Sequence, residues 1–465
     1  MRYFLFFLFL SLQITAQEFS VKKGVVVDSL KVADTLSETY SLYLPTNYQP
    51  NRQWPVIFLF DGKGRGKATA QLFKNAAEEQ GYLLVSSNEI SEENELEENL
   101  KAASRLISVA VGALPLDLGQ ISAAGSNEGA KVATSVPVLF KNIHGVIAVG
   151  DQWLKFDLLD RKKDFCFIGV TGDEDYTAPL IHIAARELES MKFPVEVYTY
   201  EGNEDWPEPE VISSIVGSLT LQAMEEGLRP VDQSAVNELY EQDLSRVNKL
   251  VSNVNLVRAH ELLQTMSEKY SGLHELSQVE DKLNFLRKSR NYISQKKEYQ
   301  EVLEKEMRLM EDFAYYLEDD ILTRNFENLG WWNYQKIRLD SISKTGGAEG
   351  KMAERLKGYV GDVANRYREE FEDQKRVSLE SKMITNLVAT IYNPHNYEAY
   401  KNIITLSAQD DDFDTALYYL EEMLKNGYKN MESLYEIPGT LGLKLTPEFN
   451  QLIEKYIGTS RYYDD

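Results

Sequence analysis

The sequence predicts an α/β domain, a mostly parallel sheet covered by helices, followed by an all-α, repeat-like helical domain. Three observations lead there. Apolar runs of strand length alternate with amphipathic helical patterns through the first half, and such alternation builds parallel sheets covered on both faces. Strand-like runs become scarce from Val236 onward. The 465 residues also exceed what a single hydrophobic core usually serves, so at least two domains are expected.

Residues 1–16 read as a secretory signal. Arg2 supplies the positive start, and the apolar core from Tyr3 to Leu12 is too short to span a bilayer comfortably. Cleavage is expected after Ala16 or Gln17, with no cysteine there to carry a lipid anchor. No later stretch reads as transmembrane, so a soluble periplasmic or extracellular protein is expected. Strand-like segments near 24–27 and 39–44 would form an antiparallel edge. Residues 54–62 (WPVIFLFDG) are a continuous apolar run ending in a Gly-rich turn, which suits a strand buried on both faces. Gly62, Gly64 and Gly66 lead into a helical pattern at Ala68, Leu72, Phe73, Ala76 and Ala77. Residues 81–87 form the next strand, and Leu100, Ala103, Ile107 and Val111 the next helix face. Residues 121–125 read as a strand and 127–140 as the helix that follows. Strands at 145–150, 165–171 and 195–200 alternate with helices at 179–192 and 211–224. Gly227-Leu228-Arg229-Pro230 ends this part. The expected division is therefore an α/β domain at 17–228, a linker at 229–235 and a helical domain at 236–465.

Gly125-Ser126-Asn127-Glu128-Gly129 sits at a strand-to-helix junction and has the outline of a Gly-x-Ser-x-Gly nucleophile elbow. The residues two before and two after the elbow's centre must be small, and Gly125 and Gly129 satisfy this only if Asn127 is central. Asparagine also tolerates unusual backbone regions better than most residues. The rival register centres Ser126 and leaves Glu128, bulky and charged, at the following small position. Together with the strand and helix order, these loops resemble the α/β-hydrolase superfamily, in its secreted esterase and polyhydroxyalkanoate-depolymerase-like branch, over roughly residues 20–228. By that resemblance, 55–62 carries the oxyanion-hole backbone. Gly172-Asp173-Glu174-Asp175-Tyr176-Thr177-Ala178-Pro179 is similar to the family's acid loop and puts Asp175 in the triad-acid position. Residues 201–207 (EGNEDWP) are similar to its Gly-x-His-x-Trp-Pro loop and put Glu204 where the histidine belongs.

The resemblance thus implies a triad without its nucleophile and base. The serine attacks and the histidine takes its proton, whereas the acid only orients the histidine. Loss of nucleophile or base costs about a millionfold in a serine hydrolase, on the order of 8 kcal/mol of barrier. No catalytic residue is therefore expected, Asn127, Asp175 and Glu204 being vestigial and Ser126 the fallback nucleophile. Of the five histidines, only His144 and His182 fall in this domain. The first stands at the wrong end of a strand and the second within a helical pattern. Asp175, Glu204 and Asp205 invite a metal or paired-carboxylate reading, but no His or Cys accompanies them and no loop has metal-ligand spacing. Lys63 and Arg65 lack the Gly-Lys-Ser/Thr of a phosphate loop and read as exposed charges on a flexible turn. No metal and no cofactor are expected.

A net charge of −23, from 50 basic and 73 acidic residues, argues against nucleic acid or an anionic membrane as partner. Glu92, Glu93, Glu95, Glu97 and Glu98 read as the solvated start of a helix, where the dipole favours negative charge. Cys166 is the only cysteine, so no intramolecular disulfide forms and stability must come from core size.

In the second half, Tyr299, Val302, Leu303, Met310, Phe313, Ala314 and Leu317 make one apolar helical stripe, read as core. Thr345 to Gly350 breaks the pattern, and Trp331 and Trp332 read as core anchors. Residues 397–426 read as helix, acidic turn and helix, with Ala416, Leu420 and Met423 inward. This resembles a tetratricopeptide repeat, and Ala259, Leu263 and Met266 repeat the spacing. Ile404 departs from the repeat pattern, which asks for a small residue there. Asp410-Asp411-Asp412 reads as a capping turn, without calcium-loop spacing.

The resulting expectation is an exported, non-catalytic hydrolase-like protein that docks a protein or peptide through its helical domain. The alternatives are an active carboxylic-ester hydrolase with a rearranged site, and a small-ligand binder using the old crevice. Asp61, Gly62, Asn127, Glu128 and Trp206 are the crevice candidates.

Overall fold

The computed structural model describes residues 22–159, 165–203, 205–372 and 374–462. The expected signal at 1–16 and the expected vestigial base Glu204 lie outside the described residues. One eight-stranded sheet organises the first half. Its strands are β1 (Val26–Lys31), β2 (Thr39–Tyr43), β3 (Trp54–Asp61), β4 (Leu83–Ser87), β5 (Leu116–Ser126), β6 (Ile143–Val149), β7 (Cys166–Gly172) and β8 (Val195–Tyr200). They lie in the order β1-β2-β4-β3-β5-β6-β7-β8. β2 is antiparallel to β1 and β4, and from β4 to β8 every pairing is parallel. The antiparallel edge expected from 24–27 and 39–44 is formed by β1 and β2.

Both sheet faces are buried, as unbroken apolar strands require. In β3, Ile57 and Leu59 face one core while Val56, Phe58 and Phe60 face the other. Helices α1 (Gly66–Gln80) and α5 (Pro209–Glu225) cover the first face through Phe73, Ile212 and Ile215. Helices α2 (Leu96–Ala113), α3 (Glu128–Leu139) and α4 (Ala178–Ser190) cover the second through Leu106, Val132 and Ile181. Val111, expected on the inner face of α2, is 37% exposed. The buried stripe runs through Ala103, Leu106, Ile107 and Ala110, and the helical turn of 100° per residue carries Val111 off its edge.

The chain order β3–α1–β4–α2–β5 returns β5 to the free side of β3, with β4 on the other side. Successive connections thus diverge at the β3/β5 pair, and the carboxyl ends of these strands are the switch point at which such sheets form a ligand crevice. Asp61, the last residue of β3, is registered against Ser126, the last residue of β5.

The helical part does not begin with a core of its own. Helices α6 (Gln233–Ser252), α7 (Leu256–Lys269) and α8 (Ser277–Lys288) pack Leu239, Leu244, Leu263, Met266 and Val279 into the cluster that α1 and α5 form on the sheet. The connection expected at 229–235 is a turn within one core. Asp232 caps α6 by accepting from the Ser234 and Ala235 N–H groups, so the helix already includes residues 233–235. A third core follows, from α9 (Arg290–Thr323), α10 (Leu329–Ser343), α11 (Gly347–Glu372) and α12 (Leu379–Tyr392). Val302, Phe313 and Leu317 are buried in it, while Tyr299 stands half exposed. Trp332 is fully buried against Trp331 and donates Nε1–H to Asp320 at 2.7 Å. Gly346 and Gly347, both at positive φ, separate α10 from α11. A fourth cluster joins α13 (Tyr397–Gln409), α14 (Phe413–Lys425), α15 (Met431–Glu436), α16 (Leu441–Lys444) and α17 (Pro447–Ile457). Ala416, Leu420 and Met423 are its inward residues on α14, whose N-cap Asp412 accepts from Thr415 N–H at 3.0 Å. No helix among the described residues is long and apolar enough to cross a membrane.

A buried polar knot joins α6 and α7 to the sheet. Lys269 Nζ lies 2.9 Å from Asp243 Oδ2, which also accepts from Tyr270 Oη, while Ser214 Oγ donates to Oδ1 at 2.8 Å. Burial works against charge on Asp243, but Lys269 and Arg246 outweigh it and hold the carboxyl below its usual range. Nearby Glu196 has the opposite balance, and burial pushes it up despite bonds from Ser218 and Tyr198. Removing one partner of a buried ion pair strands the other charge. Lys269→Met is expected to cost about 3–5 kcal/mol in urea unfolding, and adding Asp243→Leu is expected to recover much of that loss.

Candidate functional site

After Ser126 the backbone reverses sharply. Asn127 adopts φ 51° and ψ −119°, a region that costs a non-glycine residue on the order of 1–3 kcal/mol. Two close approaches require this turn and its flanking glycines. A Cβ on Gly125 would lie 1.9 Å from Gly129 O, and a Cβ on Gly129 would lie 2.0 Å from Phe60 O. The first turn of α3 is pressed directly onto β5 and β3. Asn127 N–H is tied down by Val149 O at 3.0 Å. Asn127 therefore stands at the apex, at the carboxyl end of β5. Ser126 is 1% exposed, and among the described residues its Oγ has no hydrogen-bond partner.

The Asn127 side chain meets a carboxylate. Its Nδ2 donates to Asp205 Oδ1 at 3.0 Å. Asp205 is held in turn by Lys63 Nζ at 2.9 Å and by Arg65 Nη2 at 2.8 Å. Arg65 also grips Asp61 bidentately, through Nε at 3.0 Å and Nη2 at 2.8 Å. Asp61 is fully buried and accepts further from Lys63 N–H and from Trp206 Nε1 at 2.8 Å. Burial opposes its charge, but the bonds from Arg65, Trp206 and Lys63 outweigh it and hold Asp61 below the ordinary carboxylate range. Trp206 packs edge-on against Phe73 of α1, which fixes the loop after β8. Lys63 and Arg65 are exposed, as expected, but their charges are pinned to Asp61 and Asp205 rather than left free on the turn.

The other crevice candidates are also engaged. Gly62 lies against Glu128, where a Cβ would meet Glu128 N at 3.2 Å. The Glu128 carboxylate pairs with Lys131 at 2.8 Å. Glu92, expected to solvate a helix start, instead borders the crevice through its N–H bond to Gly62 O at 2.7 Å. Burial raises its carboxyl, with Asp205 and Asp61 adding to the rise and Lys63 and Asn127 opposing it. Glu97 and Glu98 do lie in the first turn of α2.

Asp175 approaches from the loop between β7 and α4. Its Oδ1 accepts from Thr177 N–H at 2.9 Å. A Cβ at Gly150 would sit 3.0 Å from Asn127 Oδ1 and 3.2 Å from Asp175 Oδ2, so the two side chains converge over that glycine. Burial pushes the Asp175 carboxyl up, with the Thr177 N–H bond and Arg355 pulling against it. His144 is buried in β6 with Nε2 on Leu219 O, and His182 lies on α4. Among the described residues neither ring bonds to Asn127, Asp175 or Asp205, and no cluster of three His, Cys, Asp or Glu side chains forms a metal cage.

The helical part grips these loops. Asp173 receives Arg258 of α7 and Lys351 of α11, and its carbonyl receives Arg355 of α11. Arg355 is itself clamped by Glu306 of α9, through Nε at 2.7 Å. Asp173 also stitches the loops together, accepting Gly202 N–H at 2.9 Å while its own N–H bonds to Tyr200 O at 3.0 Å. Tyr176 rests on Gly358 of α11, where a Cβ would lie only 2.9 Å from its ring. Asp61 and Arg65 share an i,i+4 spacing visible in the sequence. Asp205 stands out in the sequence only as one of several loop carboxylates, and nothing local marks its cation partners or the roles of Glu92 and Asp173, whose partners come from other loops or helices.

The first half is thus a mostly parallel α/β sheet with the β3/β5 pair at its switch point. Solved structures similar to the first half of the chain include an esterase from Pyrobaculum calidifontis, at 14% identity, covering 43% of this chain and 87% of that one with a TM-score of 0.35. The feruloyl esterase module of Clostridium thermocellum is 14% identical, with 42% and 86% covered and a TM-score of 0.35. Esterase 2 of Thermogutta terrifontis is 13% identical, with 46% and 99% covered and a TM-score of 0.34. No family model and no curated protein matches the chain.

Gly129→Ala is expected to cost about 4 kcal/mol or more in chemical denaturation, because the clash is with backbone that has no room to move. For Asp175 the sign follows from its raised folded-state value. Ionising it costs stability above the unfolded carboxylate range and nothing below it. Asp175→Asn is expected to melt higher than the parent at pH 7. The gap should close as the pH falls through the ordinary carboxylate range, as followed by thermal melts from pH 7 to pH 3.

Proposed function

We propose that the chain is an exported, non-catalytic α/β-hydrolase-fold protein that serves as an interaction scaffold through its helical part. One observation carries this reading: the Asn127 side chain at the strand-to-helix apex is bonded to Asp205. An amide offers no hydroxyl for attack, and a carboxylate already neutralised by Lys63 and Arg65 is a poor base. Asp175, which would orient an imidazole in an active triad, has Asn127 and Gly150 beside it instead. The bonds among Asp61, Lys63, Arg65, Asp205 and Trp206 tie the crevice loops to each other, a role that needs no turnover. Support for the scaffold role comes from α9 and α10, which expose Tyr315, Leu322, Tyr334 and Ile337. Tyrosine in particular is enriched where proteins meet.

The test is hydrolysis of p-nitrophenyl acetate by the full-length protein, its Ser126→Ala form and its Asn127→Ala form. All three are expected to match buffer. Ser126→Ala should also be neutral or stabilising by about 1 kcal/mol, since it removes an unpaired buried hydroxyl. Turnover by the parent that Ser126→Ala abolishes would overturn the reading.

A further inference from the structure

Away from the crevice, α7, α8 and α9 border an open surface pocket of about 620 Å³, with His260 and Tyr292 buried at its base and Arg287 and Lys296 exposed on its walls. His260 and Gln264 of α7, Arg287 of α8, and Tyr292, Lys296 and Gln300 of α9 line it. Its charge is opposite to that of the whole protein. From Lys282 to Lys297 the sequence carries six Lys or Arg and no Asp or Glu, in a chain with 73 acidic residues. Gathering like charges at a concave wall costs free energy unless something neutralises them. Lys297 has a partner in Glu301 at 3.4 Å. Among the described residues, Arg287 and Lys296 form no ion pair.

The floor of the pocket is built rather than incidental. His260 is 7% exposed and stacks on Tyr292, with ring centroids 4.8 Å apart and planes at 19°. Arg287 donates Nε–H to His260 Nε2 at 3.3 Å, so that nitrogen is the acceptor of a neutral ring. Burial, Arg287 and Lys296 all depress the imidazolium, which keeps the ring uncharged. The bond fixes the plane of the guanidinium and leaves its Nη groups for a ligand. Arginine in this posture suits bidentate recognition of phosphate, and a nearby lysine adds a point charge. Two unpaired cations match a dianion, and the volume falls in the range of small-molecule pockets. A phosphate group alone would fill a fraction of it, so the rest accommodates a body of about sugar size beside Gln264, Gln300 and Ile293.

We propose that this pocket binds the phosphate monoester of a small organic molecule, with Arg287 and Lys296 holding the phosphate and His260 positioning Arg287. The site is independent of the crevice, and its failure would leave the non-catalytic reading untouched. The experiment is isothermal titration calorimetry of the full-length protein with glucose 6-phosphate, inorganic phosphate, glucose and sodium sulfate at constant ionic strength. Glucose 6-phosphate is expected to bind more tightly than inorganic phosphate, and glucose not at all. Arg287→Gln and Lys296→Gln should each weaken binding at least tenfold, Lys296→Arg should retain it, and Lys288→Gln should leave it unchanged. Circular dichroism melts identify any variant that fails to fold, and Lys296→Arg serves as the folded control at that position. Absence of binding at 10 mM phosphate probe, on the order of a very weak −3 kcal/mol, would overturn the proposal. So would equal affinity in the Arg287→Gln and Lys296→Gln forms, or an equal response to sulfate, which would mark an adventitious ion only.

Discussion

The first turn of α3 lies so close to β3 and β5 that no side chain fits between them. Gly125 and Gly129 are where the backbones touch, and residue 127 is forced into a left-handed turn as a consequence. Because β3 and β5 end in register, the same contact brings the loop after β3 beside that turn. The positions of Asp61, Lys63, Arg65 and Asp205 follow from this geometry. The apex would present any side chain to the crevice, and here it presents an amide to a carboxylate.

That carboxylate is costly to hold in place without compensation. Asp205 is held by Lys63 and Arg65, and Arg65 also holds the buried Asp61, so two anions and two cations form one connected set. Such sets gain more from geometry than from Coulomb attraction alone, because every charge has a directed bond. The same logic recurs where the helices meet the sheet. Asp173 collects three cations from α7 and α11, and Asp243 is paired with Lys269 in the knot beneath α5. The helical part is therefore joined to the loops of the crevice by ion pairs and to the sheet by a continuous apolar core. Moving one without the other would expose both kinds of contact.

Much of the architecture was legible in the sequence for simple reasons. Strands buried on both faces leave unbroken apolar runs, and 54–62 could hardly read otherwise. The glycine spacing at 125–129 is a steric requirement, so it survives whatever chemistry the apex carries. Inward residues of α14 were legible from helical periodicity, and its start from the capping Asp412. Other features misled because local pattern is silent about neighbours. Glu92 belongs to an acidic run, yet it borders the crevice while Glu97 and Glu98 sit in the helix turn. Lys63 and Arg65 are exposed as their pattern implies, but only the loop after β8 brings the Asp205 carboxylate that they share. The turn at 229–235 has linker composition, although the helices after it complete the core before it.

The sequence by itself determined the strands, the helices and the steric demand at the elbow, because these depend on periodicity and on the absence of a Cβ at two positions. Only the tertiary structure decided which carboxylate meets Asn127, which cations neutralise it, and where one core ends and the next begins. Those outcomes rest on side chains far apart along the chain, such as Asn127 and Asp205, 78 positions apart, or Lys63 and Asp205, 142 apart. Contacts at that separation are chosen by the packing of whole elements, and no local pattern encodes them.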